Sequence, residues 1–183
     1  MISEAGTRHW GRFGAAGLLV RAPVADGSPA VLLQHRALWS HQGGTWGLPG
    51  GALDSHEDAQ GAALREAEEE AGLPREHLRI RAQVTTAEVF GPGGGYWRYT
   101  TVVADAPALL ETVPNRESSE LRWVAEKEVT DLPLHPGFAA SWQRLRIGEA
   151  VPPHSCGLRS PHTLEITEAG FAWCRAGVSP RIR

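Results

Sequence analysis

Cysteine is scarce in this chain of 183 residues: there are two, Cys156 and Cys174, both near the C-terminus. They have neither C-x-x-C spacing nor a flanking histidine pair, which argues against a disulfide framework or a structural zinc site and reads most simply as a reduced, cytoplasmic protein. Long apolar runs are missing too. No stretch approaches the roughly 18 apolar residues of a membrane span, and the N-terminus lacks the apolar core of a secretory signal, so neither membrane insertion nor secretion is indicated. Positive charge is not in excess. Lys and Arg total 18 against 21 Asp and Glu, a formal net charge of -3. A nucleic-acid polymer is therefore not an expected partner, whereas a nucleotide carried with a divalent cation is compatible. The length suits one domain with an appended element.

What is present alternates between strand and helix patterns. Residues Ala15 to Arg21 and Ala30 to Gln34 read as strands, joined by the turn-like Pro23-Val24-Ala25-Asp26-Gly27-Ser28-Pro29 as a hairpin. Ile80 to Val89 and Tyr96 to Ala104 read as a second strand pair around Gly91-Pro92-Gly93-Gly94-Gly95. Leu121 to Val124 reads as a further strand, Glu126 to Leu132 as a helical or turn segment, and Phe138 to Ile147 as a helix. Past Gly148 the composition turns Pro/Gly-rich. The expected division is a domain over 1–148 and, over 149–183, a linker with a short element from Leu164 to Cys174. Phe171 and Trp173 favour docking of that element on the domain or on a partner in a homodimer.

Chemistry concentrates between Gly51 and Leu73. Ser55 is an N-cap candidate with Asp58 three residues on, and Gly72 followed by Pro74 supplies a stop, so a helix is expected from about His56 to Ala71. At about 100° per residue, Glu66, Glu69 and Glu70 fall within one third of the circumference. Ala63, Leu64, Ala67 and Ala71 form a neighbouring apolar arc, and Glu68 points to solvent. Carboxylates so spaced repel one another. Arg65 can reach Glu69 one turn on, but one guanidinium cannot neutralise Glu57, Glu66, Glu69 and Glu70. Clustered hard oxygen donors suit Mg²⁺, or Mn²⁺, with phosphate oxygens and waters completing the shell. A solvated acidic face is the other reading of such a run. Leu48-Pro49-Gly50-Gly51 just upstream favours the metal, because glycines permit close backbone approach and a carbonyl of Gly50 or Gly51 could be a further ligand.

The same segment resembles the complete signature of the Nudix hydrolases, G-x5-E-x7-R-E-U-x-E-E-x-G-U with U apolar. Every defined position is met, by Gly51, Glu57, Arg65, Glu66, Ala67, Glu69, Glu70, Gly72 and Leu73. The resemblance implies an α+β Nudix fold, an α/β/α sandwich with a mixed β-sheet. It also implies a metal-dependent pyrophosphohydrolase in which Gly51, Glu66, Glu69, Glu70 and a downstream loop glutamate hold the metal. For that glutamate the chain offers Glu117 and Glu120; Glu117 matches the pattern better, and Glu120 could pair with Arg122. Either Glu66 or Glu117 would accept the proton of the attacking water, and Arg65 with Glu57 would fix the helix and loop.

A wider stretch, Trp10 through Gln143, is similar to MutT-type members of actinobacterial character assigned to clearing oxidised guanine nucleotides. The matching residues are Trp10-Gly11-Arg12-Phe13-Gly14-Ala15-Ala16-Gly17, the run Leu33 through Gln42, and Leu134-His135-Pro136-Gly137-Phe138. That likeness makes Arg36 a candidate for substrate phosphate or sugar, and His41 and His135 candidates beside the base. His135 stands where some of these enzymes have an amide, and its ring can donate and accept at once. The implied substrate is 8-oxo-dGTP, cut to the monophosphate and pyrophosphate. Alternatives are an ADP-ribose or nucleotide-sugar pyrophosphatase and a non-catalytic nucleotide-sensing domain. Glu88 and Phe90, where such relatives tend to carry proline and tyrosine, argue mildly for triphosphates, and the complete set of box glutamates disfavours the sensing domain.

Overall fold

A computed structural model of the chain describes residues 11–91 and 95–146. In chain order the elements are strands β1 (Ala15–Pro23), β2 (Pro29–Arg36), β3 (Trp46–Gly47) and β4 (Gly50–Ala52), helix α1 (Ala59–Ala71), strands β5 (Arg79–Gly91), β6 (Gly95–Asp105) and β7 (Ser118–Ala125), and helix α2 (Pro136–Leu145). Short 3₁₀ turns occupy Arg75–His77 and Glu126–Asp131.

The strands form one seven-stranded mixed sheet in the order β3-β2-β1-β6-β5, with β4 added to β1 and β7 to β2. Strand β1 is central: it runs antiparallel to β2 and parallel to β6. Its apolar residues on both faces explain that place, since Ala16, Leu18 and Val20 face one layer and Leu19 the other, all of them buried. The β1–β2 turn has the expected character. Gly27 adopts φ 82°, and Asp26 Oδ1 accepts the Ser28 N–H at 2.8 Å.

Helix α1 lays Ala62, Ala63, Ala67 and Ala71 on Ala16, Leu18 and Val20 of β1 and on Val102 and Ala104 of β6. The alanines let the helix backbone approach the sheet closely, and enlarging one would overpack this layer. On the other face Leu19, Val31 and Leu33 are buried, as is Val129 of the 3₁₀ turn that packs on β2 and β7. Arg21 and Glu126 pair there at 3.1 Å with both side chains buried.

Helix α1 starts later than its sequence suggests. Asp58, not Ser55, is the N-cap, and its Oδ1 accepts the Gly61 N–H at 2.7 Å. Residues 54–57 fold back on themselves instead, because the Glu57 carboxylate accepts the Asp54 N–H at 3.2 Å. The C-terminus agrees with expectation: Gly72 takes the left-handed conformation, φ 66°, and its N–H and that of Leu73 close on Glu68 and Ala67. Strands β3 and β4, two and three residues long, were not anticipated.

The chain divides into two units, Met1–Ser141 and Trp142–Arg183, and of the second only residues 142–146 are described. The linker and C-terminal element expected over 149–183, with its docking contact, lie outside the described residues, as do residues 92–94 of the β5–β6 turn. Among the described residues no helix is long and apolar enough to cross a membrane.

Candidate active site

The site begins at the crossing of β4 and α1. Gly50 and Gly51 pair with Gly17 and Ala16 of β1; a side chain at Gly50 is barred by backbone, and one at Gly51 would displace the Glu66 carboxylate. A β-carbon at Gly50 would overlap the Ala16 carbonyl and the Gly17 backbone, and one at Gly51 would overlap the Glu66 carboxylate. The C-terminal half of α1 therefore presents Glu66 and Glu70 directly against a bare backbone.

Arg65 organises those carboxylates. Its Nε and Nη2 donate to the two Glu57 oxygens at 2.8 and 2.9 Å, a bidentate pair. Nη1 reaches Glu66 Oε1 at 2.9 Å and Glu69 Oε2 at 3.4 Å, and Nη2 also reaches the Ala52 carbonyl at 3.2 Å. The guanidinium's donors are thus spent on a loop, a strand and three glutamates. Hydrogen bonding to Arg65 holds the Glu57 carboxyl down to about 2, well below the usual carboxylate range.

Glu70 is in a different state. It is 4% exposed, and its Oε2 accepts the Gly50 N–H at 2.8 Å. Burial pushes its carboxyl up to about 7 against the hydrogen bonds from Gly50 and Gln34, and the charges of Glu66 and Glu117 add to the rise. Glu66 is raised as well, first by burial and then by Glu69 and Glu117, with Arg65 opposing. Glu66, Glu70 and Glu117 therefore lie within electrostatic reach of one another.

Glu117 is presented by a turn built on Asn115. The Asn115 side chain accepts the Glu117 N–H at 2.8 Å, its own N–H donates to the Glu70 carbonyl at 3.4 Å, and the Ala37 N–H donates to the Glu117 carbonyl at 2.9 Å. Glu120 instead pairs with Arg122 at 2.6 Å, and that guanidinium lies 4.7 Å over the Trp46 ring. Trp46 is a packing residue, 5% exposed, whereas Trp39 is 67% exposed.

Among the described residues no three His, Cys, Asp or Glu side chains are gathered about a common point in the manner of a finished metal cage. The hydrogen bonds above explain it: Glu66 and Glu69 lean on Arg65, and Glu70 on Gly50 and Gln34. The donor set nevertheless fits a hard divalent cation. It consists of carboxylates that repel one another, beside a backbone edge that no side chain blocks, and a cation would offset that repulsion.

Arg36, His41 and His135 come together from three segments. Arg36 Nε donates to the His41 carbonyl at 3.0 Å, at the end of β2 where the pairing with β7 shifts register. The rings of His41 and His135 stand 6.2 Å apart. The loop before α2 is pinned to β3, since the Trp46 N–H donates to Pro133 and the His135 N–H to Trp46, at 2.9 and 2.7 Å. Burial, with Arg36 and His41 nearby, pulls His135 down to about 4. Its Nδ1 accepts the Gly137 N–H at 3.1 Å. The neutral ring therefore carries its proton on Nε2 and faces outward only as a donor. The sequence reading, in which the ring both donates and accepts toward a ligand, needs that correction.

Two contributors escaped the sequence. Tyr99 of β6 sets its hydroxyl where a β-carbon at Gly17 would sit and close to one at Gly50, and burial together with the Glu70 charge raises its phenol above the ordinary value. Gln34 is fully buried beside Glu70. A glycine pair facing one tyrosine is a signal that only pairing of β1 with β6 reveals. Separately, a cavity of about 540 Å³ opens near the start of α1, lined in part by Phe13, Leu53, Glu57, Arg98 and Thr100. None of the three other box glutamates, nor Arg36, His41 or His135, lines it.

Residues 14–145 match the NUDIX domain model. A Mycobacterium tuberculosis protein provisionally named 8-oxo-dGTP diphosphatase 3 is 65% identical over 181 residues, which span 97% of this chain and 83% of that one. The crystal structure of a Nudix hydrolase from M. smegmatis, RenU, superposes with a TM-score of 0.77 at 69% identity, covering 79% of this chain and 89% of that one. A C. elegans Ap4A hydrolase agrees in fold, with a TM-score of 0.58 at 21% identity over 73% of this chain and 94% of that one.

Proposed function

This chain belongs to the Nudix family and is a hydrolase of phosphoric anhydrides, and from that premise we propose that it cleaves a nucleoside triphosphate to the monophosphate and pyrophosphate, with 8-oxo-dGTP as its preferred substrate. The observation that carries the reading is that the Glu66 and Glu70 carboxylates reach the Gly50–Gly51 edge while the Glu117 charge acts on both of them. In the reaction the water oxygen forms a bond to phosphorus, the bridging P–O bond breaks, and its electron pair leaves with pyrophosphate. Glu66, Glu69, Glu70 and Glu117, with the Gly51 carbonyl, would hold Mg²⁺ or Mn²⁺. When bound, such a cation lowers the pKa of the attacking water and neutralises charge on the phosphate oxygens. Glu66 or Glu117 takes the water proton. Arg65 and Glu57 hold the loop and helix in register.

On the substrate side, Arg36 supplies a guanidinium for phosphate, and the His135 Nε2–H a donor for a carbonyl on the base. The name carried by the M. tuberculosis relative supports an oxidised guanine triphosphate. A nucleotide panel with Mg²⁺ tests the reading: kcat/KM for 8-oxo-dGTP should exceed that for dGTP and for ADP-ribose. His135→Ala should narrow the preference toward the roughly 10- to 200-fold that pocket shape alone supplies, because the hydrogen-bond donor to the base is lost. Because the ring stays neutral down to about pH 4, the preference should be flat between about pH 8 and 5. Equal efficiency on 8-oxo-dGTP and dGTP, or a preference for ADP-ribose, would overturn the substrate and leave the reaction class.

A further inference from the structure

Gln34 lies in the middle of the sheet, in an otherwise apolar stretch of β2, with no exposed surface. An apolar residue is the ordinary occupant of such a position, because a buried amide must find partners for every polar atom. Gln34 does so only in part. Its Nε2 donates to Ser118 Oγ at 2.8 Å, and its side chain lies beside the Glu70 carboxylate, close enough to oppose the rise of that carboxyl. Its Oε1 is buried without a partner. An arrangement that leaves a carbonyl orphaned is not the most stable one for this position.

The two partners it does have are telling. Glu70 ends the row of box carboxylates on α1, and Ser118 directly follows Glu117. The same two elements are stitched a second time through the backbone, since the Ser118 N–H donates to the Asn115 carbonyl at 3.2 Å and the Asn115 N–H to the Glu70 carbonyl at 3.4 Å. The Gln34 side chain thus stands between the helix that carries one carboxylate and the turn that carries the other.

We propose that Gln34 is a positioning residue, a buried brace that sets the Glu70 carboxylate against the Glu117 turn so that both can address one divalent cation. This rests on the metal reading of the same site given above. A residue that merely pegged β2 to β7 would make the same contact with Ser118, but losing it would show in stability and not in metal affinity.

The test uses the full chain with Gln34→Met, which keeps length and shape but cannot hydrogen-bond, and with Ser118→Ala. Mn²⁺ binding is measured by electron paramagnetic resonance without nucleotide, and thermal unfolding is followed in the metal-free proteins. Gln34→Met should weaken Mn²⁺ binding about tenfold, with the unfolding midpoint unchanged or raised because the orphaned carbonyl is gone. Ser118→Ala should show a smaller loss in the same direction, and the double variant should be no worse than Gln34→Met alone. Unaltered Mn²⁺ affinity in Gln34→Met overturns the proposal, and so does a lowered midpoint or failure to fold accompanied by normal affinity in Ser118→Ala. A parent protein that binds no Mn²⁺ would instead remove the metal reading of the whole site.

Discussion

The box helix and the Arg36–His41–His135 cluster are built in opposite ways. The first gathers Glu57, Arg65, Glu66, Glu69 and Glu70 from one continuous segment, in which Arg65 bonds three of the four glutamates at 2.8 to 3.4 Å and Glu70 turns to the Gly50 N–H. The second draws one residue each from the end of β2, from the loop beyond it and from the residue before α2. Its groups are cationic or neutral, and proximity to Arg36 helps keep His135 uncharged. One cluster is short of positive charge and the other offers donors, so together they complement a phosphate chain that carries its own cation. The acidic cluster bears on whether any anhydride is cut, and the donor cluster on which one.

That contrast breaks most visibly at the acidic end. Glu69→Gln or Glu70→Gln should each cut turnover by about two to three orders of magnitude, the rate equivalent of the several kcal/mol a bound metal supplies. Cooperative unfolding should remain, since an amide at position 70 can still accept the Gly50 N–H. Unchanged activity of both variants at saturating Mg²⁺ would remove the box from the reaction.

A smaller effect should follow from Arg65→Lys. An ammonium cannot reproduce the bidentate Glu57 contact together with the bonds to Glu66, Glu69 and Ala52. Activity should fall about 10- to 100-fold, as when a group that orients a ligand is lost. Acid stability should change too. Glu57 is held at about 2 when folded, against an ordinary value of 4.5. Its contribution is therefore present above the unfolded pKa and is lost as pH falls from about 4.5 toward 2. In Arg65→Lys that contribution shrinks, so acid unfolding followed by circular dichroism should move to higher pH. An unshifted acid transition would mean the Glu57–Arg65 pair does not hold the loop.

What the sequence made legible follows the same division. Spacing within one helix placed Glu66, Glu69 and Glu70 together, and Gly72 followed by Pro74 marked the true end of α1. The start lies three residues beyond the one the pattern suggests, because Glu57 turns back onto the Asp54 N–H, a local contact that no helical period encodes. Strands of two or three residues leave no periodic signal, which hid β3 and β4. Gln34 could be read only as the end of an apolar strand, although its partners Glu70 and Ser118 lie 36 and 84 positions away. His135 was named from its neighbourhood in sequence, but its role as a donor depends on Gly137 and on the pinning of its loop to Trp46. Features set by local spacing were readable; those set by pairing of distant strands were not.

The smallest expected effect separates two neighbouring glutamates. Glu117 stands just before β7 and Glu120 inside it, and either would satisfy a search for an acidic residue there. Their surroundings differ. The Glu117 charge acts on both Glu66 and Glu70, whereas the Glu120 carboxylate is engaged by Arg122 in a pair whose side chains are 44% and 49% exposed. An exposed pair of this kind contributes between about 0 and 1 kcal/mol. Glu120→Gln should therefore leave kcat/KM within about twofold and shift stability by less than about 1 kcal/mol. Glu117→Gln should lower activity and weaken Mn²⁺ binding, because it removes a charge the box carboxylates sense directly. If Glu120→Gln proved the more damaging of the two, the acidic cluster would have to be redrawn around the Arg122 side of β7, and the turn built by Asn115 would lose its part in presenting a carboxylate.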